Sequence, residues 1–120
     1  MPRPRKMRRV CCLPESDKFG PADSPQSLEN TVIMTVDEYE TIRLIDFEGL
    51  LQEECAVQMN IARTTVQSIY SEARKKMADA LVNRKWLFIR GGDFVLCERG
   101  TGFCRRHGCG QGKCRFVDDH

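Results

Sequence analysis

The sequence has little of what several protein classes require. Its 120 residues include two histidines and one tryptophan, aromatic residues make up 8% of the chain, and the formal net charge is only +2. There is no glycine-rich phosphate loop opening a helix and no Ser/His/Asp grouping, so we expect no enzymatic activity. The length allows one small core with appended segments and excludes a large multidomain enzyme.

Long hydrophobic runs are also missing. Uncharged stretches such as residues 31–36 are far shorter than the roughly 18 residues that a membrane-spanning helix needs. The basic start of the chain lacks the apolar run of a signal peptide. We therefore expect a cytoplasmic protein with no membrane partner.

Cysteine is the residue type in clear excess. Seven cysteines are many for this length, but the number is odd and no export signal accompanies them. Metal binding therefore ranks ahead of structural disulfides. Cys55 is predicted to be a small core residue, whereas one of the adjacent Cys11 and Cys12 would either join a metal site or lie buried under the N-terminal arm.

Charge is strongly segregated along the chain. The first ten residues carry only basic charge, and residues 37–54 carry seven acidic side chains against the single Arg43. Residues 63–90 carry seven basic side chains against Glu72 and Asp79. Such segregation decides the choice of partner more than the net charge does. The acidic side chains of the first two helices are expected on solvated faces.

Helical periodicity covers the middle of the chain. Thr35 and Glu38 match a capping box, and the helix that they open is predicted to end before Gly49. A second, short helix is predicted to stop at Asn60, which tolerates left-handed geometry. The third and longest helix, residues 63–82, has one apolar stripe and a polar, basic outer face.

The flanking segments differ from this helical region. Residues 1–30 are predicted to be a basic N-terminal arm and linker. Two β-prone runs within residues 86–97 surround Gly91-Gly92 and predict a hairpin, and residues 98–120 form a Cys-rich tail without a core of its own. The predicted fold class is mainly α, with a helix-turn-helix domain at residues 31–85, a small β-hairpin and an irregular C-terminal segment.

The second and third helices have the spacing of a helix-turn-helix, which inserts its second helix into the DNA major groove. Polar side chains at the start of the third helix supply donors, acceptors and methyl groups for base edges, and basic side chains follow where phosphates would run. The alternative is that this face of the helix is simply exposed to solvent and does not contact DNA. The predicted DNA-binding residues of this helix are Arg63, Thr64, Thr65, Gln67, Ser68, Ser71, Arg74, Lys75 and Lys76.

Two arginines of the N-terminal arm extend this hypothesis. Arg3 and Arg5 are flanked by prolines and would lie in an A·T-rich minor groove, where the negative potential is concentrated. A disordered, solubilising tail is the alternative for this segment.

The C-terminal cysteines are candidate metal ligands, because metal–thiolate bonds would replace the missing core of this segment. Their spacing lacks the CxxC pairs of structural zinc sites, so zinc and an iron–sulfur cluster both stay open. Reversible disulfides of a redox sensor and unliganded thiols are the alternatives. The predicted ligands are Cys97, Cys104, Cys109 and Cys114.

Two resemblances accompany these patterns. The stretch from Thr35 to Leu81 resembles region four of sigma factors, although Leu51 and Ala62 stand where such modules carry a capping hydroxyl. Loss of such a hydroxyl costs about 1 kcal/mol. The blocks MPRPRKMRRVCCLPES, TVDEYETIRLIDFEGL, IRGGDFVLC and GKCR together resemble a small prokaryotic family catalogued as domain of unknown function 134, or uncharacterised protein family 0251, and labelled predicted DNA-binding.

The sequence therefore predicts a sequence-specific DNA-binding protein that acts as a transcriptional regulator, with double-stranded DNA as its partner and a metal-binding or redox-responsive Cys cluster. A homodimer is expected because one recognition helix covers only a few base pairs. The alternative, from a different class, is a protein-interaction or metal-handling adaptor that does not bind DNA.

Overall fold

Three α-helices and five short β-strands make up the part of the chain that the computed structural model describes, residues 7–26 and 28–96. Of these residues 48% are helical and 18% lie in strands. The strands form two sheets, which pack against the helices. The prediction of a mainly α fold is therefore wrong, and the fold is mixed α and β.

The first helix, α1, covers Val36–Ile42 and begins with the predicted capping box. The backbone N–H of Glu38 donates to Thr35 Oγ1 at 3.3 Å, and the backbone N–H of Thr35 donates to Glu38 Oε1 at 2.9 Å. The helix continues directly into a π-helical segment, Arg43–Phe47. Gly49 then adopts a left-handed φ of 85°, so the helical stretch ends before this glycine, as predicted.

The second and third helices, α2 (Gln52–Met59) and α3 (Arg63–Val82), have the predicted positions. The turn between them begins at Asn60, which is left-handed with φ 61° and ψ 46°. Its neighbour Ile61 is buried and donates its N–H to the carbonyl of Ala56 at 3.0 Å. The turn is thus fixed by both packing and hydrogen bonding. No helix in the described parts of the chain has both the length and the apolar character needed to cross a bilayer.

The strands are β1 (Arg8–Val10), β2 (Lys18–Phe19), β3 (Thr31–Met34), β4 (Trp86–Ile89) and β5 (Phe94–Leu96). β4 is the central strand of a three-stranded sheet, antiparallel to β2 and parallel to β3. β1 and β5 form a separate parallel pair. In register, Thr31 lies opposite Trp86, Lys18 opposite Phe88 and Arg8 opposite Phe94.

The predicted hairpin at residues 86–97 is wrong. Gly91 and Gly92 have the left-handed φ values of turn residues, 74° and 105°, but their turn carries the chain from one sheet to the other. β4 already has a strand on each edge, so no edge is left for β5. Phe88 and Ile89 are adjacent in β4 and both buried, which shows that both faces of this strand are covered.

The segment before residue 31, predicted to be an arm and linker, contributes β1 and β2 to the two sheets. Val10 is completely buried and Cys11 is 3% exposed, so the end of β1 belongs to the interior. Together with β3, which was not predicted either, β1 and β2 account for the strand content that the sequence did not predict.

Among the described residues, two hydrophobic clusters fill the interior, and α3 contributes to both. Val66 and Ile69, in its first half, pack with side chains of α2 and of the turn. Ala73 packs one turn later with side chains of β1, β3 and β4, among them Val10 and Met34. Helix α3 is thus anchored along one side over its first three turns.

The acidic side chains of α1 do not lie on a solvated face, contrary to the expectation. Asp37 and Glu38 are 6% and 8% exposed, and Glu40 is completely buried. Burial of a carboxylate is tolerated only with partners. Arg43 supplies them for Glu40, with Nε at 2.9 Å from Oε1 and Nη2 at 2.9 Å from Oε2.

Candidate nucleic-acid interface

Helix α3 exposes a continuous polar surface on the side opposite to its buried residues. Of the nine residues predicted there, seven are exposed, whereas Thr65 and Lys76 are half-buried. Val66, Ile69 and Ala73 fix the opposite side in the core, so the rotation of the helix about its axis is determined. The exposed residues, called the outer face of α3 from here on, are Arg63, Thr64, Gln67, Ser68, Ser71, Arg74 and Lys75.

The first turn of α3 has features that suit an anion. Its N-cap, Ala62, makes no side-chain capping bond, and the turn contains no acidic residue. The N–H groups at a helix start carry partial positive charge and lack partners within the helix. The exposed Arg63 adds a full charge at the same place. A phosphate group would accept hydrogen bonds from these N–H groups and pair with the charge of Arg63.

Helix α2 differs at its own start. Its N-cap Leu51 also lacks a side-chain acceptor, but the backbone N–H of Leu51 donates to Glu54 Oε1 at 2.8 Å. Both Glu53 and Glu54 lie in its first turn. The start of α2 therefore already carries negative charge, and of the two helix starts α3 is the better one for a phosphate.

Arg74 is oriented by the π-helical segment. Its Nε lies 3.8 Å from Asp46 Oδ2, and its guanidinium stacks over the ring of Tyr70, 5.3 Å from the centroid. The hydroxyl of Tyr70 donates to Asp46 Oδ1 at 2.7 Å. Burial, followed by this hydrogen bond, raises the pKa of Tyr70 above its usual value. The Arg74 side chain is still 63% exposed, so it is held in place without being withdrawn from solvent.

Lys76 lies in a different environment from its neighbour Lys75. Its Nζ is 2.8 Å from Glu38 Oε1 and 3.1 Å from Oε2. Lys75 is exposed on the outer face. The two adjacent lysines therefore differ in role: Lys76 ties α3 to the start of α1, while Lys75 points to solvent.

The structure also shows contacts of Arg74 that the sequence did not predict. Tyr70 is not among the predicted site residues, yet its ring and hydroxyl, together with the carboxylate of Asp46, position Arg74. Asp46 lies 24 residues from Tyr70, and no local pattern links the two. The i, i+4 spacing of Tyr70 and Arg74 was the only available signal.

Several predicted site residues lie outside the described parts of the chain. These are Arg3 and Arg5 of the arm and the four candidate metal ligands, Cys97, Cys104, Cys109 and Cys114. Among residues 7–26 and 28–96, no group of three or more His, Cys, Asp or Glu side chains could hold a metal ion. The candidate interface therefore consists of the outer face of α3.

Comparison with known proteins places residues 1–97 in a family model described as "Protein of unknown function DUF134". A UPF0251 protein of Desulfitobacterium hafniense (strain Y51) is 64% identical over 112 residues, which cover 93% of this chain and 86% of that protein. A UPF0251 protein of Thermoanaerobacter sp. (strain X514) is 47% identical over 112 residues, covering 90% and 99%. One of Ruminiclostridium cellulolyticum is 42% identical over 118 residues, covering 98% and 87%. No solved structure matches the chain.

Proposed function

Since the chain belongs to the DUF134 family, whose description names no activity, we propose its function from the geometry of α3: it is a sequence-specific, double-stranded-DNA-binding protein that acts as a transcriptional regulator. Helices α2 and α3 serve as a helix-turn-helix of the sigma region-four kind, with α3 in the major groove. The observation that carries this proposal is the exposure of the outer face of α3 while the opposite side is fixed in the core.

The outer face supplies both classes of contact that such a helix needs. Gln67 and Arg63 can form bidentate hydrogen bonds with adenine and guanine, respectively, and the methyl group of Thr64 can contact thymine. Arg74 and Lys75 follow about two turns later, where they would neutralise phosphates. Lys76 is left out of the phosphate contacts because Glu38 already pairs with it.

Salt dependence of duplex binding tests the electrostatic part of the proposal. The first probe is a random 30-base-pair duplex. The second is a set of genomic fragments that the full-length protein has selected under anaerobic conditions. Binding is followed by fluorescence anisotropy. If about six phosphates are contacted, log K falls against log[salt] with a slope of about −5, that is, by orders of magnitude between low and moderate salt.

The adjacent lysines provide a matched pair of variants for this assay. Lys75→Ala should weaken binding to all duplexes alike and reduce the salt slope by about 1. Lys76→Ala removes the same charge from the same helix but breaks the contact with Glu38, so it should lower stability and leave the affinity of the folded protein nearly unchanged. If both substitutions lowered the affinity equally, the effect would reflect net charge alone. That result would argue against contact between the outer face of α3 and the duplex.

Base recognition is tested separately from charge. Arg63→Ala and Gln67→Ala should each lower the preference for the selected fragment over the random duplex, with a loss of about 1–3 kcal/mol for each bidentate contact. If neither variant changes the preference, and Lys75→Ala has no effect, the outer face does not bind DNA. That result would favour the protein-interaction adaptor.

A second part of the proposal concerns the C-terminal cysteines and rests on their residue type alone. We propose that Cys97, Cys104, Cys109 and Cys114 hold a metal, as zinc or as an iron–sulfur cluster. Elemental analysis of protein purified without air should find near-stoichiometric metal, which Cys104→Ser and Cys109→Ser release. Protein that is free of metal under these conditions would contradict the ligation.

A further inference from the structure

One acidic side chain lies directly beside the basic outer face of α3. Asp46 belongs to the π-helical segment, and its side chain is 37% exposed. Its Oδ2 lies 3.8 Å from Arg74 Nε, and its Oδ1 accepts a hydrogen bond from the hydroxyl of Tyr70 at 2.7 Å. By its charge alone, a carboxylate at this place would repel a phosphate near Arg74. Its contacts give it a second effect, which acts on the Arg74 side chain.

The π-helical segment determines where Asp46 lies. The backbone N–H of Glu48 donates to the carbonyl of Arg43, five residues earlier, at 2.8 Å. The guanidinium of Arg43 also donates to Glu48 Oε2 at 3.3 Å, so the turn is held by backbone and side chain together. Leu44 is completely buried on the inner side of this turn, while Asp46 meets α3 at the surface. Turns of this kind are rare in helices and occur frequently at functional sites.

The Arg74 side chain is held by two partners that are joined to each other. The carboxylate of Asp46 contacts its Nε, and its guanidinium lies over the ring of Tyr70, 5.3 Å from the centroid. The hydrogen bond between Tyr70 and Asp46 closes the set. Tyr70 precedes Arg74 by one turn of α3, whereas Asp46 comes from a different element. An arginine that is ordered in advance loses less conformational entropy when it binds a ligand.

From this geometry we propose that Asp46 is a positioning residue of the DNA interface, which strengthens duplex binding through Arg74 although its own charge opposes that binding. This inference rests on the proposed DNA binding. The ion pair with Asp46 uses Nε, so the guanidinium has further N–H donors for a bidentate contact with a backbone phosphate. The Arg74 side chain is 63% exposed, and a phosphate can reach it while Asp46 stays in contact.

Charge and positioning predict opposite results when the carboxylate is removed. If Asp46 acted by its charge alone, Asp46→Ala would remove a repulsion and raise the affinity for a duplex. If Asp46 holds Arg74, the same substitution should lower the affinity by about twofold to tenfold, the range expected when one more long side chain must be immobilised on binding. The direction of the change therefore separates the two effects.

Asp46→Asn is the matched control for Asp46→Ala. The two substitutions change the net charge equally, but only asparagine keeps an oxygen that can accept from the Tyr70 hydroxyl and from Arg74 Nε. Fluorescence anisotropy with the random duplex and with the selected fragments should give Asp46→Asn an affinity near or above that of the wild type, and Asp46→Ala a lower one. Equal affinities of the two variants, or tighter binding by Asp46→Ala than by the wild type, would overturn the proposal.

A variant that lacks the arginine tests whether Asp46 acts through it. In an Arg74→Ala background, Asp46→Ala should no longer lower duplex affinity and should raise it slightly, because only the repulsion is left. An equal loss in both backgrounds would contradict positioning through Arg74. Both side chains are more than one third exposed, so their ion pair contributes little to folding. Urea unfolding of each variant should confirm that stability is nearly unchanged.

NMR relaxation of the Arg74 Nε–Hε group tests the positioning without DNA. This group should be more ordered in the wild type and in Asp46→Asn than in Asp46→Ala. Unchanged order in Asp46→Ala would overturn the proposal. If the wild type binds no duplex, the proposed function fails, and the NMR comparison still decides whether Asp46 holds Arg74. If the wild type binds with the expected salt dependence and Asp46→Ala binds as tightly, only the role of Asp46 fails.

Discussion

Cys55 shows how a single buried thiol makes stability depend on pH. Its pKa is raised from the usual value of 9.0 to about 12 in the folded protein, whereas the unfolded chain retains the usual value. Below pH 9 the thiol is protonated in both states, so its contribution to stability is fully present. As the pH rises from 9 towards 12, the unfolded state releases a proton that the folded state keeps, and stability falls by about 1.4 kcal/mol per pH unit.

This loss is measured as a difference between two proteins. Urea unfolding under reducing conditions gives the free energy of unfolding of the wild type and of Cys55→Ala at pH 8 and at pH 10.5. The wild type should be the more stable at pH 8, and its advantage should shrink by about 2 kcal/mol at pH 10.5. Lysines, tyrosines and other groups that titrate in this range are common to both proteins. A constant difference would mean that Cys55 ionises normally in the fold.

The start of α3 lacks a side-chain cap. Ala62 occupies the N-cap position with extended backbone angles, φ −73° and ψ 153°, but has no side-chain acceptor. Ala62→Ser would supply a hydroxyl to a free N–H of the first turn and should stabilise the protein by about 1 kcal/mol. Chemical denaturation measures this gain. Ala78→Ser, at an exposed interior position in the C-terminal half of the same helix, should destabilise by a few tenths of a kcal/mol. Equal effects at the two positions would contradict the capping explanation.

The turn between β4 and β5 provides a second prediction for an element. Gly91 and Gly92 both have positive φ, so alanine costs about 1–2 kcal/mol at either position. A Cβ on Gly91 would meet nothing within 4 Å, whereas one on Gly92 would lie 2.8 Å from Thr35 Cβ and closer still to Asp37. Gly92→Ala should therefore destabilise by about 1–3 kcal/mol more than Gly91→Ala in urea unfolding. Equal losses would show that only the backbone angle matters.

The helical elements were predictable because their signals are local. A capping box at Thr35 and a left-handed residue at Asn60 mark helix ends within a few residues. Strands β1 and β2 carried no comparable signal, because they have only three and two residues and their partners β5 and β4 lie far along the chain. The Gly91-Gly92 pattern matched a hairpin turn, but the edges of β4 were already taken by β2 and β3. Pairing of distant strands decided the fold class.

The candidate site was likewise predictable only where the signal is local. Exposure of the outer face of α3 followed from the 3.6-residue period, since Val66, Ile69 and Ala73 are buried together. The pairing of Lys76 with Glu38 could not be predicted from this period, because the two residues lie 38 positions apart. The hydrogen bond from the backbone N–H of Cys11 to Glu40 was equally invisible, because the two residues lie 29 positions apart. Sequence periodicity thus predicts which side of a helix is exposed, but not which of its charges are already paired.

At the scale of the whole molecule, the C-terminal half of α3 differs from its first half. Leu81 and Val82 are 81% and 74% exposed, and Met77 is 40% exposed. An apolar groove of about 370 Å³ adjoins Met77 and Leu81 and is lined in part by Phe19 and Leu87. The predicted apolar stripe of α3 therefore continues past the core to the surface. Apolar surface of this kind is typical of contacts between proteins, and we propose a second copy of this chain as the occupant.

The length of α3 makes this pairing compatible with DNA. Leu81 is 14 residues from Gln67, or about 21 Å along the helix axis at 1.5 Å per residue. Two copies that meet at Leu81 across a two-fold axis would place their Gln67 side chains up to about 42 Å apart. Half-sites one helical turn apart on DNA require about 34 Å. If the two helices are moderately inclined to each other, the distance between the two Gln67 side chains falls to the half-site spacing. Both recognition surfaces would then reach the same side of a duplex.

Leu81→Glu tests this assembly, because the exposed side chain contributes little to the fold while a charge in an apolar contact opposes association. Sedimentation velocity should show a dimer for the wild type at micromolar concentration and a monomer for the variant. Ser71→Glu, on the outer face, is the control that leaves the dimer intact and weakens duplex binding. The monomeric variant should bind palindromic fragments with lower affinity and without cooperativity. A wild-type protein that sediments as a monomer with and without duplex would contradict the pairing, since the C-terminal half of α3 would then not be a contact between copies.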